Sequence, residues 1–251
     1  MLLNTQTPHI KNRLKIIRLN KTTSTNDYAY KLGQRKEKEI IAILAKHQTK
    51  GKGRRGRKWS SPKNKGIYVS FLFQPKKELK KIPLLGLILA LATVKALKNI
   101  IHMKIKWPND LVIGNKKIGG ILLETKTSCK IPEFVVVGLG LNINAVGSEI
   151  PSKATSLFLE TAKQYQLEKI INSILKEVIV LYQRFKEEDY DGITKEVINY
   201  LDTIKKKVTV HINNTKIRGI AYSLGKYGTL LLKDSKGKII EILASQITCL
   251  R

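Results

Sequence analysis

The sequence predicts an α+β fold, in which a large unit of strands and helices is followed by a small β-barrel at the C-terminal end. Apolar runs of strand length recur through residues 15–141, and a long apolar helical pattern lies among them. From residue 155 the periodicity becomes helical, and after residue 207 short strands alternate with turn residues. We therefore expect a first domain over residues 1–204 and a barrel domain over residues 205–251.

The elements of the first domain follow from apolar periodicity and from the residues that interrupt it. Strands are expected over residues 15–19, 40–46, 66–74 and 134–141. A short helix over residues 27–32 stops at Gly33. The apolar run 82–97 contains Lys95 and is too short for a membrane span, so a buried helix is expected over residues 82–100.

A hairpin is expected in the middle of the chain. Pro108 restricts the backbone, so residues 107–110 are predicted to form a turn. A second turn follows at residues 114–115, and a strand returns after it. This arrangement places Asp110 and Lys117 on adjoining strands, where they form a salt bridge or flank a reactive centre.

The second half of the chain changes from helices to short strands. Helices are expected over residues 155–164, 167–188 and 193–201. Strands are expected over residues 208–212, 216–223, 228–232 and 239–247. Asn, Gly and Ser residues supply the turns between these strands, which predicts a small barrel.

The net charge of +28 is the strongest compositional feature of this 251-residue chain. It is consistent with a polyanionic partner, because positive potential attracts acidic ligands. The lysines are dispersed, however, and the chain is generally rich in Lys, Ile and Asn. We therefore favour compositional drift and expect no specific DNA binding.

Cysteine usage and the N-terminal residues indicate the cellular setting. Cys129 and Cys249 match no metal-ligand or redox spacing, which favours a reduced, cytoplasmic protein. The N-terminal residues contain no apolar segment long enough for a signal peptide. We expect a cytoplasmic protein with no membrane association.

The segment GKGRRGRKW, residues 51–59, combines three glycines with five cations and a tryptophan. Glycine lets the backbone approach a ligand closely, and successive N–H groups can then hold an anion. Arginine suits phosphate or carboxylate oxygens, and the face of Trp59 suits an aromatic base. The segment is interpreted either as a lid over a nucleotide-like ligand or as a solvated basic loop.

Ser24, Thr25 and Asn26 precede the first predicted helix. Residues of these types are preferred helix N-caps, so capping alone accounts for them. A helix N-terminus also presents hydroxyls, an amide and free N–H groups to a small polar ligand. Both interpretations remain open at this point.

Five segments together resemble biotin–protein ligases. They are STND (24–27), HQTKGKGRRGRKW (47–59), KWPND (106–110), KKIGGILLE (116–124) and GLGLNIN (138–144). One such motif is weak evidence, but five in this order with matching strand context are specific. The resemblance implies a mixed sheet with packed helices, related to class II aminoacyl-tRNA synthetase cores, followed by an SH3-like β-barrel.

The resemblance also implies an activity. The biotin carboxylate attacks the α-phosphorus of ATP to give biotinyl-5′-AMP, and a lysine of a biotin carboxyl carrier domain then displaces AMP. Mg²⁺ is expected with the polyphosphate, held by phosphate oxygens, so no residue is predicted as a metal ligand. About twenty residues precede STND, too few for the winged helix-turn-helix of repressor-type members. We therefore expect a single-function ligase, as a monomer or a homodimer.

Site residues are assigned by the same resemblance. The biotin-binding residues are Ser24, Thr25, Asn26, Gln48, Lys52, Gly53, Arg54, Lys117 and Gly120. The ATP-binding residues are Arg54, Arg57, Trp59, Asn109, Lys117 and Asn142. The catalytic residues are Lys117, which bridges the biotin carboxylate and the α-phosphate, together with Asp110 and Arg54.

One residue departs from the family pattern, which usually reads GRGRRG. Lys52 stands at the first basic position of this segment. Lysine keeps the charge but lacks the planar two-pronged donor geometry of arginine, so we expect the intermediate to be held differently. Two alternative functions are a lipoate–protein ligase of the same fold and a basic nucleic-acid-binding protein.

Overall fold

A seven-stranded mixed sheet forms the centre of the computed structural model, which describes residues 14–35, 40–127, 130–212 and 215–250. Its strands are β1 (Leu14–Leu19), β2 (Ile40–Ala45), β3 (Gly66–Phe73), β4 (Lys104–Lys106), β5 (Asp110–Ile113), β6 (Lys116–Lys126) and β7 (Phe134–Asn142). Their order is β1-β2-β3-β7-β6-β5-β4. Strand β1 pairs with β2 in parallel, and the other pairs are antiparallel.

Helices cover both faces of this sheet, which explains why all eight residues of β3 are buried. The helices are α1 (Thr25–Gly33), α2 (Pro83–Leu97), α3 (Leu157–Thr161), α4 (Leu167–Lys186) and α5 (Tyr190–Asn199). On one face α2 and α4 pack over Val69, Phe71 and Phe73. On the other face α1 packs over Leu72 and Val136. Because strand residues alternate, Ser70 lies on the α1 face with Leu72.

Helix α2 is the apolar run that the sequence predicted to be a buried helix. Twelve of its fifteen residues are buried. In the described parts of the chain, no helix has the length and apolarity needed to cross a membrane. The predicted helix over residues 155–164 is shorter in the structure, because Ala162 adopts a left-handed conformation after α3.

A second, five-stranded antiparallel sheet follows the helices. Its strands are β8 (Lys207–Ile212), β9 (Thr215–Leu224), β10 (Leu230–Lys233), β11 (Ile239–Ile242) and β12 (Ile247–Leu250), in the order β11-β10-β9-β8-β12. The single strand predicted over residues 239–247 is wrong. A turn closed by the Gln246 N–H and the Leu243 carbonyl (3.1 Å) separates β11 from β12.

The two sheets share one continuous apolar core. Trp107 is 1% exposed and donates from Nε1 to the Gly228 carbonyl at 3.0 Å, which ties the β4–β5 turn to the second sheet. The mixed sheet with packed helices confirms the predicted fold class, and the second sheet is consistent with an SH3-like domain. The domain boundary between residues 204 and 205 stays a prediction.

Candidate active site

Most of the predicted site residues line one pocket, between the α1 N-terminus, the loop 51–59 and the middle of β6 and β7. From the predicted set, the pocket contains Ser24, Thr25, Asn26, Gln48, Lys52, Gly53, Arg54, Trp59, Asn109, Lys117 and Gly120. The three other predicted residues, Arg57, Asp110 and Asn142, lie outside its lining. Residues far apart in sequence thus meet at one site.

The floor of the pocket consists of strand backbone. Gly120 of β6 faces Gly140 of β7 in the antiparallel register, and Gly138 lies two residues before it. A Cβ at Gly138 would overlap Asn26 Oδ1, and a Cβ at Gly140 would overlap the Trp59 indole. Sequence reasoning assigned no role to Gly138 or Gly140. The sequence does indicate such a floor, because glycines two residues apart on one strand expose backbone on the same face.

The first wall of the pocket is the α1 N-terminus. Ser24 is the N-cap, and its hydroxyl oxygen accepts from the Asp27 N–H at 3.5 Å. The Thr25 N–H donates to Gln48 Oε1 at 2.8 Å, and the Thr25 hydroxyl oxygen lies 3.1 Å from the same atom. Gln48 Nε2 in turn donates to Ser61 at 2.9 Å. Capping and ligand binding, which the sequence left as alternatives, are therefore compatible.

Asn26 is held from two sides. Its Nδ2 donates to Glu124 Oε2 at 2.7 Å and to the Leu122 carbonyl at 3.3 Å. Its Oδ1 accepts from the Ser70 hydroxyl at 2.6 Å. Ser70 is fully buried and Glu124 is half-buried. Sequence reasoning missed both residues as part of the site, because they lie on strands 44 and 98 residues away from Asn26.

The loop 51–59 folds back on itself as a short hairpin. The Trp59 N–H donates to the Gly51 carbonyl at 2.9 Å, and the Gly53 N–H donates to the Arg57 carbonyl at 2.7 Å. Arg55 has a φ of 56° at the tip of this hairpin. Positive φ is uncommon for a residue with a side chain, so the tip is held by specific contacts.

The cations of this loop contact three different parts of the molecule. Lys52 pairs with Asp27 of α1, and the hydrogen bond from Asp27 raises the pKa of Lys52. Arg54 donates to Asn109 Oδ1 at 3.1 Å and to the Ala244 carbonyl at 2.7 Å. Burial lowers the pKa of Arg54.

Arg55 completes the connection between the loop and the second sheet. It donates to the Ile247 carbonyl at 2.7 Å. Together with the bond from Arg54 to Ala244, this contact ties the loop to the turn between β11 and β12 and to the first residue of β12. Arg57 is exposed and lines a wider cavity of about 1030 Å³ together with Lys52 and Trp59.

Lys117 occupies the centre of the site. Its Nζ lies 2.6 Å from Asp110 Oδ1 and 5.4 Å from the centroid of the Trp59 ring. Of the two interpretations of Asp110 and Lys117, the ion pair is formed. Lys117 also lines the pocket described above, so the second interpretation, that the pair flanks a reactive centre, stays a prediction.

A second cavity of about 210 Å³ adjoins this pocket. Lys117 and Trp59 line both, and the second cavity also contains Asn142, Ile150 and Pro151. Asn142 Nδ2 donates to the Thr155 carbonyl at 3.0 Å, which fixes its amide. The site therefore has two compartments that meet at one cation.

Comparisons with known proteins agree with this geometry. Residues 17–142 match the family described as "Biotin/lipoate A/B protein ligase family". A bifunctional ligase/repressor BirA from Bacillus spizizenii is 30% identical over 224 residues, which cover 86% of this chain and 68% of the relative. A biotin–[acetyl-CoA-carboxylase] ligase from Mycobacterium tuberculosis is 27% identical over 222 residues, which cover 84% of this chain and 79% of the relative.

A solved structure is similar over almost the whole chain. It is a biotin protein ligase from Aquifex aeolicus in complex with biotin and ATP, with a TM-score of 0.79 and 31% identity. The match covers 94% of this chain and 98% of that one. These similarities confirm the resemblance found in the sequence. The chain belongs to the biotin/lipoate A/B protein ligase family.

Proposed function

We propose that this protein is a biotin–protein ligase that joins biotin to AMP and then transfers the biotinyl group to a lysine of a carrier domain. The observation that carries this proposal is the pair of compartments that meet at Lys117. An acyl-adenylation needs one place for the acid, one for the nucleotide and a cation between the two. Relatives named as biotin–[acetyl-CoA-carboxylase] ligases support a carboxylase carrier as the acceptor.

The biotin ring system is assigned to the compartment at the α1 N-terminus. Biotin carries a cyclic urea with one carbonyl and two N–H groups. The Ser24 hydroxyl can donate to the carbonyl while its oxygen accepts from Asp27, and Thr25 lies beside it on the pocket wall. Gln48 is already bonded to Thr25 and Ser61, so its part is to hold Thr25 in place.

The first chemical step needs no general base. A carboxylate is already ionised at neutral pH, so the difficulty is to bring it against the charged α-phosphate. Fixed cations and backbone dipoles are the groups that reduce this repulsion. Lys117 is assigned this role, because its ammonium lies where the compartments meet and Asp110 fixes it at 2.6 Å.

The nucleotide is assigned to the second compartment. The Trp59 indole and the fixed Asn142 amide offer a flat apolar face and a polar group to an adenine ring. Arg54 and Asn109 line the first compartment together with Lys117. We assign Arg54 to developing charge on the phosphate, and Asp110 to orienting the incoming carrier lysine. Arg57 has the weakest support as a nucleotide ligand, because it is exposed and lines neither compartment.

Mg²⁺ is proposed to enter with the nucleotide. Among the described residues, no three His, Cys, Asp or Glu side chains form a group that could hold a metal. We propose that the ion is bound mainly through phosphate oxygens, which is the usual mode of Mg²⁺ in nucleotide enzymes. We also propose that the chain divides between residues 204 and 205, just before β8.

The experiment is to incubate the purified protein with Mg²⁺-ATP and either biotin or lipoate, without any carrier. We expect pyrophosphate release that depends on biotin and a mass for biotinyl-5′-AMP in the protein fraction. Lipoyl-AMP in place of biotinyl-AMP would show that the chain is a lipoate–protein ligase. Absence of pyrophosphate with both acids would overturn the ligase proposal.

A further inference from the structure

The orientation of the Asn26 amide is fixed by the chemistry of its neighbours. Glu124 Oε2 and the Leu122 carbonyl, at 2.7 and 3.3 Å, both lie on the same side of this amide. A carboxylate and a carbonyl can only accept hydrogen bonds. The NH₂ group of Asn26 must therefore face Glu124, and the Oδ1 atom must face the opposite side.

This orientation determines where the Ser70 proton goes. Ser70 Oγ lies 2.6 Å from Asn26 Oδ1 and 2.7 Å from Thr25 Oγ1. A serine hydroxyl has one proton, and Asn26 Oδ1 is an acceptor without a proton of its own. Ser70 therefore donates to Asn26, and its oxygen lone pairs face Thr25.

The Thr25 proton is then used within the protein. Ser70 Oγ and Thr25 Oγ1 lie 2.7 Å apart, and the Ser70 proton is used on Asn26, so the Thr25 hydroxyl donates to Ser70. The Thr25 oxygen retains its lone pairs, and Thr25 lines the pocket. The chain of hydrogen bonds from Glu124 through Asn26 and Ser70 thus leaves Thr25 as an acceptor towards a ligand.

We infer that Glu124 and Ser70 are positioning residues that fix the hydrogen-bond direction of the biotin pocket, so that Thr25 accepts from a ligand N–H group. The inference rests on the proposed function, since a cyclic urea supplies such an N–H. In this inference the role of Asn26 differs from the biotin-binding role that the sequence predicted. Asn26 transmits the direction set by Glu124, and Thr25 makes the contact with the ligand.

The test compares Ser70→Ala, Glu124→Gln and the double variant in steady-state adenylation. Each single variant is expected to raise the KM for biotin roughly three- to tenfold, the scale of one net hydrogen bond. The kcat and the KM for ATP are expected to stay within about twofold. Because both residues act through one chain of bonds, the double variant should resemble Ser70→Ala rather than multiply the two effects.

Matched controls remove comparable groups elsewhere. Thr93→Ala deletes a fully buried hydroxyl of α2, and Glu133→Gln neutralises an exposed carboxylate that pairs with Lys126. Neither residue lies in the site, and we expect the biotin KM to be unchanged in both. If Ser70→Ala fails to fold, the isosteric Glu124→Gln variant still tests the inference.

A change of ligand tests the direction of the bond itself. In the two cyclic carbamate analogues of biotin, one or the other urea N–H is replaced by oxygen. The unaltered protein should reject one of these analogues, because two acceptors would face each other at Thr25. A glutamine at position 124 can donate as well as accept, so Glu124→Gln allows the Asn26 amide to turn at the cost of its 3.3 Å bond to the Leu122 carbonyl. Thr25 can then donate, and the preference for biotin over that analogue should fall several-fold.

The outcomes separate the inference from the proposed function. Failure of the unaltered protein to activate biotin would overturn the proposed function. Normal activation, with a biotin KM within twofold of normal in both single variants, would overturn the inference alone. Multiplicative effects in the double variant, or unchanged discrimination against both carbamates in Glu124→Gln, would overturn it as well.

Discussion

In the proposed mechanism, Lys117 is the residue to which we assign the largest electrostatic contribution. Its removal would leave Asp110 without the cation that lies 2.6 Å away, and the two compartments would meet at a negative group. We expect Lys117→Ala to reduce biotin-dependent pyrophosphate exchange by about 10²–10³-fold, since preorganised electrostatic groups contribute about 3–4 kcal/mol. The melting temperature should change little, because the side chain is partly exposed.

Lys116 provides the matched control for this variant. It precedes Lys117 on β6, is more exposed and lies 3.9 Å from Glu160. Lys116→Ala is expected to retain normal exchange. Near-normal exchange in Lys117→Ala would mean that Lys117 is only a partner of Asp110.

Lys52 gives a second prediction at this scale. The Lys52→Arg variant can form a two-pronged pair with Asp27, which lysine cannot. Both side chains are more than a third exposed, so the gain is limited to about 1 kcal/mol, or roughly a fivefold slower escape of preformed biotinyl-AMP. The dissociation rate of biotinyl-AMP from the unaltered protein and from Lys52→Arg measures this gain. An additional Asp27→Asn substitution in both proteins should abolish the difference between the two rates.

The pH dependence of this pair follows from the sign of the shift. Asp27 raises the pKa of Lys52, so the stabilising pair is fully present below the ordinary lysine value of 10.5. It is lost only as the pH rises through the raised pKa. The difference in biotinyl-AMP dissociation rate between the unaltered protein and Lys52→Arg should therefore stay constant from pH 7 to about 9. A difference that vanished in this range would argue against the ion pair.

At the scale of elements, local pattern predicted most of the fold. Alternation and apolar runs located β1, β2, β3 and β7, because both signals depend on neighbouring residues. The break between β11 and β12 was missed, since residues 239–247 are apolar enough to read as one strand. Contacts across many residues were also missed. Nothing near Ser70 or Glu124 in the sequence indicates that each bonds to the same asparagine.

The candidate site was also predictable only in part from the sequence. Its residue types could be assigned by resemblance, because five ordered segments carry them. Their partners could not, and Arg54 illustrates the reason. The sequence places it in a basic loop, but its hydrogen bond to the Ala244 carbonyl depends on how the two sheets pack.

Strand β7 offers a test of the backbone floor. A methyl group at Gly138 would overlap Asn26 Oδ1, so Gly138→Ala must displace this amide. We expect a destabilisation of about 1–3 kcal/mol, as for overpacked cores, together with a clear rise in the biotin KM. Thermal unfolding and steady-state adenylation measure the two effects.

Gly86 of α2 is the matched glycine. A Cβ there would meet Leu123 at 3.8 Å, which is an ordinary contact. Alanine is also favoured over glycine in a helix by about 1 kcal/mol. Gly86→Ala should therefore raise the melting temperature and leave the biotin KM unchanged. A normal biotin KM in Gly138→Ala would show that the floor tolerates a side chain.

At the scale of the whole molecule, the net charge of +28 makes a further prediction. If this charge reflects composition, binding to duplex DNA depends only on phosphate contacts and counterion release. We expect weak binding that is insensitive to sequence and lost at physiological salt. Electrophoretic or anisotropy titrations at several salt concentrations test this. Sequence-selective binding that persists at physiological salt would reveal a regulatory function.

The bonds from Arg54 and Arg55 to the second sheet have a consequence for the molecule as a whole. They join the loop 51–59 to Ala244, in the turn at residues 243–246, and to Ile247 at the start of β12. Ser245 and Gln246 of this turn are exposed. A molecule that binds this turn more tightly when the loop 51–59 is in one conformation would thereby change the affinity of the protein for biotin. Thermodynamic linkage makes the effect reciprocal, so that biotin would change the affinity of that molecule by the same factor. A binder selected against this turn would then report the occupancy of a site that it never touches.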